Sequence, residues 1–396
     1  MPGTSGGASA LKVIDTDTHL LEPPDLWTAR LASKFVDAAP QVRWVEDRQE
    51  EMWFFDDRPL QGVGYAAQAG WKDFAPSHPM RFSEIDPAAY DAKARLTKMD
   101  DFGIHAAVLY PNVALFHSGQ VRDSGDAALS LACTKVYNDY QTEWCSADPD
   151  RLLAMTILPF WDLDETLAEI DRCADAGHRG IVFSQEPSAF GLPALVDRHW
   201  DPMWAKAQER GLPVNFHIAS GNNTNIVAFG DEIPDIGLRS KVVVDCVPMF
   251  LRNGLTIAEL ICGGVCHRFP NLNFVSVESG IGWLPFTLDL LDWHWKNYDV
   301  PREHPEYDLL PSEYFRRQIY GCFWFEDQSA LSAIEYLDGG NVMYETDFPH
   351  STSMTPGPGS VAQAPAEYVS ETFGGLPEAT LRRILHDNAA GVYHLS

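Results

Sequence analysis

The feature that most restricts this chain is a rhythm in which short apolar runs alternate with stretches of helical period, eight times over. Residues 13–17 form the first run and 105–110 the second, with a helical stretch at 90–99 between them. A long helix over 126–145 leads into the strand 152–158, then a helix over 164–176 into the strand 180–183, then a helix over 200–210 into the strand 213–217. The pattern continues through the helix 255–267, strand 273–278, helix 281–295, strand 318–323, helix 328–337 and strand 341–345. A helix between consecutive strands sets them parallel, because the right-handed crossover needs it. Eight such units predict an α/β fold closed into a (β/α)8 barrel of the TIM type; an open doubly wound sheet would satisfy the same pattern.

Three stretches interrupt the rhythm: residues 31–87, rich in Trp, Phe, Gly and Pro, residues 220–241 and residues 350–366. On a barrel such insertions decorate the catalytic rim. The whole of 1–396 is therefore read as one barrel domain, with 31–87 as a lid or oligomer contact and 377–388 as a final amphipathic helix. Hydrophobic residues make up 45% of the chain, enough for a large core without staples. The seven cysteines are odd in number and sit mostly in apolar segments, as buried thiols do. Cys262-Gly-Gly-Val-Cys266-His267 has a metal-like spacing but no second pair, so a helix is its expected home.

Lys and Arg total 29 against 56 Asp and Glu, a formal net charge of −27 that would repel phosphate backbones and anionic lipid. No nucleic-acid partner is expected. No 18-residue apolar run occurs, and the opening MPGTSGGASALK lacks the apolar stretch of a secretory signal, so no membrane partner and a cytoplasmic location are expected.

The chemistry lies at the strand ends. Asp15, Asp17 and His19 end the first strand, and alternate residues of an extended chain share a face. Alone this motif is weak, since aspartates at strand ends often cap loops. Three more strand ends carry suitable groups, however: His217 in NFHIASG, Glu278 in FVSVESG and Asp347 in YETDFPH. A barrel brings these ends to one rim, and two imidazoles with two or more carboxylates suit Zn, Mn or Fe.

At these residues the sequence resembles the amidohydrolase superfamily, in the branch that includes aminocarboxymuconate semialdehyde decarboxylase and aromatic acid decarboxylases. The resemblance spans nearly the whole chain, down to the ending NAAGVYHL. Such enzymes carry HxH after strand one, His after strand five, a catalytic His after strand six and Asp after strand eight. It implies metal ligation by Asp17, His19, His217 and Asp347, with Glu278 in the catalytic position, as base or as a further ligand. Asp17 replaces the first His of the pair, which hardens the set toward Mn or Fe. No Lys follows strand four in GIVFSQEP, which disfavours a carbamate-bridged pair of ions.

The resulting expectation is an enzyme that uses one divalent ion to decarboxylate or hydrolyse a small carboxylated or cyclic substrate, with Glu278, Asp347 and His350 catalytic. A dinuclear Fe or Mn oxygenase, with two ions among the same residues, is one alternative. A non-catalytic subunit of a hetero-oligomer with a related chain is another. Glu22 is read as equally suited to ordering its Pro-Pro loop or supporting the metal, His178 and Arg179 as structural, and His294 as packing or contact. The aromatics of 31–87 and the segment around Trp283, Trp293 and Trp295 predict a homo-oligomer, if not a hetero-oligomer.

Overall fold

Eight parallel strands line up in the order β1 (Val13–Leu20), β5 (Ile104–Pro111), β6 (Leu152–Ile157), β7 (Gly180–Val182), β8 (Val214–His217), β9 (Phe274–Val277), β10 (Ile319–Phe323) and β11 (Val342–Tyr344). The computed structural model describes residues 11–116, 126–221 and 236–395. Closure of the barrel runs through the candidate site itself: Asp347 N donates to Asp17 O at 2.9 Å and His19 N to Phe348 O at 2.6 Å. The last strand end is thereby sewn to the first.

The strand residues are almost wholly buried, as expected where helices cover the outside and side chains fill the inside. Helix starts are set by side-chain caps. Asp126 accepts from Ala128 N and Leu129 N at the head of Ala127–Cys145, and Asp162 accepts from Glu165 N at the head of Leu163–Asp175. Gly211, at φ 66°, ends the helix Asp201–Arg210 in a left-handed turn that returns the chain to β8.

The structure departs from the sequence reading in two places. The first insertion holds an antiparallel sheet of β2 (Gln41–Val45), β3 (Glu50–Phe55) and β4 (Arg58–Gly62), and Trp53 from it meets Trp27 edge-on at 5.6 Å. The helix expected over 255–267 starts much earlier: Leu238–Cys262 is continuous and contains Pro248. Most of the second insertion, residues 222–235, lies outside the described residues. Among the described residues no helix is long and apolar enough to cross a membrane.

Candidate metal centre

Strand β1 is longer than its apolar run suggests, so Asp17 and His19 lie within it rather than in a turn beyond it. Asp15 does not join them. Against β5 the register slips between Asp15 and Thr18, three residues facing a two-residue step from Ala107 to Leu109, and this breaks the expected alternation. Asp15 instead accepts Thr346 N at 2.9 Å and Thr346 Oγ1 at 2.5 Å, bracing the chain just before Asp347.

Asp17, His19, His217 and Glu278 come together with ligand atoms within 4.8 Å of one another, all buried. The geometry fixes both tautomers. His19 Nδ1 donates to Pro111 O at 3.1 Å and His217 Nδ1 donates to Ile218 O at 2.8 Å, so each Nε2 is left as an acceptor. Those two Nε2 atoms face each other at 3.0 Å. Asp17 sits 3.4 Å from one and 3.5 Å from the other, and Glu278 Oε2 lies 3.4 Å from His217 Nε2. Neither oxygen of Asp17 meets a hydrogen-bond donor among the described residues. Acceptors converging on one buried point repel unless a cation lies among them, so the residues fit a divalent ion.

The electrostatics agree. Burial foremost, then the charge of His350, pushes His19 well below the usual histidine range, toward the neutral form that binds metals. Burial, then the charges of Asp347, Asp17 and Glu345, pushes Glu278 well above the carboxylate range. Burial likewise raises Asp17. A cation would reverse the sign of this field.

A second cluster shares two members with the first: His19, Glu278, Asp347 and His350 also lie within 4.8 Å. His350 Nδ1 is 2.7 Å from Asp347 Oδ1, and its Nε2 donates to Asn112 Oδ1 at 2.9 Å. Asp347 also accepts from Thr352 Oγ1. Glu278 and Asp347 both adopt left-handed backbone, φ 53° and φ 57°, which costs a non-glycine residue about 1–3 kcal/mol. Two strand-end turns are thus held in an unfavourable conformation in which both carboxylates reach the cluster.

Several supporting residues escaped the sequence reading. Glu345, fully buried, accepts from Glu278 N at 3.3 Å. Glu326 accepts Ile281 N and Gly282 N at 2.8 and 2.7 Å, closing the turn after Glu278; a Cβ on Gly282 would come within 2.4 Å of Ser329. Buried Arg95 donates to His19 O at 2.6 Å and to Thr18 Oγ1 at 3.0 Å. Glu22 accepts Asn112 N and Ala114 N at 3.1 and 3.0 Å, so it orders the turn that presents Asn112 to His350. His178 bonds Thr142 and Thr156 hydroxyls far from the cluster. His294 is exposed and stacks on Tyr298, and Cys262 ends its helix exposed while Cys266 is buried.

With this geometry in view, comparison with known proteins decides the family. The amidohydrolase family model matches residues 14–395. The chain belongs to the amidohydrolase family. Among relatives of the family, gamma-resorcylate decarboxylase from Rhizobium sp. (strain MTP-10005) is 24% identical over 274 residues, covering 64% of this chain and 76% of that protein. An amidohydrolase from Mycobacterium avium subsp. paratuberculosis K-10 superposes with a TM-score of 0.77 at 22% identity, covering 98% of this chain and 100% of the other. 5-Carboxyvanillate decarboxylase from Novosphingobium aromaticivorans DSM 12444, complexed with manganese and 4-hydroxy-3-methoxy-5-nitrobenzoic acid, superposes at 0.67 with 17% identity, covering 99% and 98%. These superpositions establish the amidohydrolase barrel and leave the chemistry to the side chains above.

Proposed function

We propose that this amidohydrolase is a metal-dependent carboxy-lyase for a small carboxylic acid, with one divalent ion held by Asp17, His19 and His217 and reached by Asp347, which groups with His350 and lies 3.9 Å from His19 Nε2. The observation that carries the reading is the pair of Nε2 atoms 3.0 Å apart, each turned into an acceptor by a backbone carbonyl behind its ring. The carboxylate share of the donor set favours Mn or Fe over Zn, and the Novosphingobium relative carries manganese. When bound, the ion supplies Lewis-acid polarisation of the substrate's carboxylate and a neighbouring oxygen.

The chain's own residues would do the rest. Glu278, whose Oε2 reaches the cluster 3.4 Å from His217 Nε2, donates a proton to the carbon as the bond to the departing CO2 breaks. Asp347, steadied by His350 and Thr352, keeps its orientation through that change. In a hydrolase Glu278 would instead take a proton from the attacking water; the likeness to the Rhizobium decarboxylase favours decarboxylation. The first insertion, whose Pro40 lines an apolar cavity, is proposed as a lid or oligomer contact within a single domain.

A second reading, a dinuclear Fe or Mn oxygenase, is favoured by the overlap of the two clusters, which share His19 and Glu278 and would place Asp347 and His350 on a second ion. Metal analysis of protein purified without added metal separates the two readings: one ion per chain supports the first and two the second. His217→Ala is expected to lose most of the metal. Full occupancy in that variant would overturn the assignment.

A further inference from the structure

Beside the cluster lies a mostly apolar cavity that opens to solvent. Two of its walls continue the chain that holds the cluster. Val113 and Ala114 follow Pro111 and Asn112, the partners of His19 and His350, and Ser220 donates its N–H to His217 O at 3.3 Å. Trp27, Phe160, Trp161 and Phe183 supply the aromatic surface, and none of the lining residues among the described residues carries a charge.

The polar atoms in the walls are already engaged. Thr134 donates its hydroxyl to Ser130 O at 3.1 Å, Ser184 to Ser220 O at 2.9 Å, and Trp27 Nε1 to Cys133 O at 3.1 Å. Glu22, the acid that orders the Val113 wall, is negative when ionised. A carboxylate entering here would lose its hydration and gain, among the described residues, neither a cation nor a cluster of donors.

We infer that this cavity seats the non-reacting part of the substrate, and that this part is uncharged and apolar. The substrate is then a monocarboxylic acid rather than a di- or tricarboxylic one. The inference rests on the proposed function only in placing the reacting carboxylate at the ion.

The test uses calorimetric binding of 2-naphthoate, naphthalene-2,6-dicarboxylate and uncharged 2-naphthol to the full chain, with manganese and after its removal. 2-Naphthoate should bind the manganese form at least about tenfold tighter than the dicarboxylate, and 2-naphthol should bind both forms. Phe160→Ala should weaken 2-naphthoate and 2-naphthol alike by about tenfold at unchanged metal content. Ala114→Arg, at a half-buried position, should narrow or invert the preference against the dicarboxylate. Equal or tighter binding of the dicarboxylate by the unmodified chain, no binding of 2-naphthol to either form, or no effect of Phe160→Ala overturns the inference. If 2-naphthol binds but 2-naphthoate is indifferent to manganese, the cavity assignment stands and the metal reading fails.

Discussion

Asp17→Asn should make the metal-free protein more stable and remove most of the stabilisation that manganese adds. Asp17 is fully buried, neither oxygen meets a donor among the described residues, and Glu278, Glu345 and Asp347 crowd the same space. Asn keeps the shape and removes the charge, so relief of about 1–3 kcal/mol is expected without metal, the scale seen when buried charges are replaced. A chain of 396 residues unfolding as a unit has an entropy of about 0.8 kcal/mol/K near 60 °C, so this relief raises Tm by about 1–4 °C. Manganese at 100 times its Kd stabilises the native protein by about 2.7 kcal/mol, about 3 °C on the same scale, and the variant should lose most of that shift. Scanning calorimetry should therefore show the variant melting above the native chain in chelator and that lead shrinking by most of about 3 °C in excess manganese. A variant that melts below the native chain by the same amount in both conditions, or that keeps the full manganese shift, refutes the reasoning.

Glu278→Gln should lower turnover by about 100-fold or more with metal content unchanged; loss of the ion would make Glu278 a ligand, and normal turnover would remove it from the chemistry. His178, buried and held neutral between two threonine hydroxyls, is lowered from 6.5 to about 4 by burial first and Arg172 second. Its contribution to stability is thus present above pH 6.5 and lost as pH falls toward 4. Relative to His178→Gln, the native chain should lose about 2–3 kcal/mol between pH 7 and pH 4.5 in urea titrations, and parallel pH profiles would contradict this. A second copy is expected to cover the apolar band formed by Leu238–Cys262, where Val243 is 67% exposed, and the adjoining Leu284–Asn297, where Trp293 is 67% exposed. Light scattering should show a dimer or larger assembly that Val243→Asp weakens; a monomeric native chain at micromolar concentration would rule it out.

The barrel was legible because its evidence is periodic: each apolar run is a strand buried on both faces, and each helix between them has a polar side to display. The three-stranded sheet at 41–62 was not. Its strands are short, partly exposed and joined by turns within an aromatic-rich stretch, so neither a clean two-residue alternation nor a helical period stands out. The early start of Leu238–Cys262 was hidden by Pro248 and by a run of valines, residues that read as helix-breaking or strand-forming until packing overrides them. Trp283, Trp293 and Trp295, grouped by sequence, separate in space: Trp295 is buried against Tyr307, Trp293 points outward, and Trp283 lies against Gly254.

For the candidate site, sequence gave the groups that could touch an ion and missed those that make them touch it. Asp17, His19, His217, Glu278 and Asp347 stand at strand ends, where barrel topology alone predicts convergence. Glu326, Glu345 and Arg95 act on backbone atoms, and Asn112 on the His350 ring, of residues far away in sequence, and no spacing rule marks such contacts. Glu278 and Asp347 illustrate the gap. Nothing in ESG or TDF announces a left-handed carboxylate, because the conformation is unfavourable locally and persists only through remote bonds: Glu326 on the turn after Glu278, and the Asp17 carbonyl on Asp347 N. The strain therefore depends on barrel closure. Asp347 N bonds the strand that carries Asp17 and His19, so bringing the last strand end to the first and placing a fourth candidate ligand are one event, and a site of this kind cannot be assembled before the barrel itself is closed.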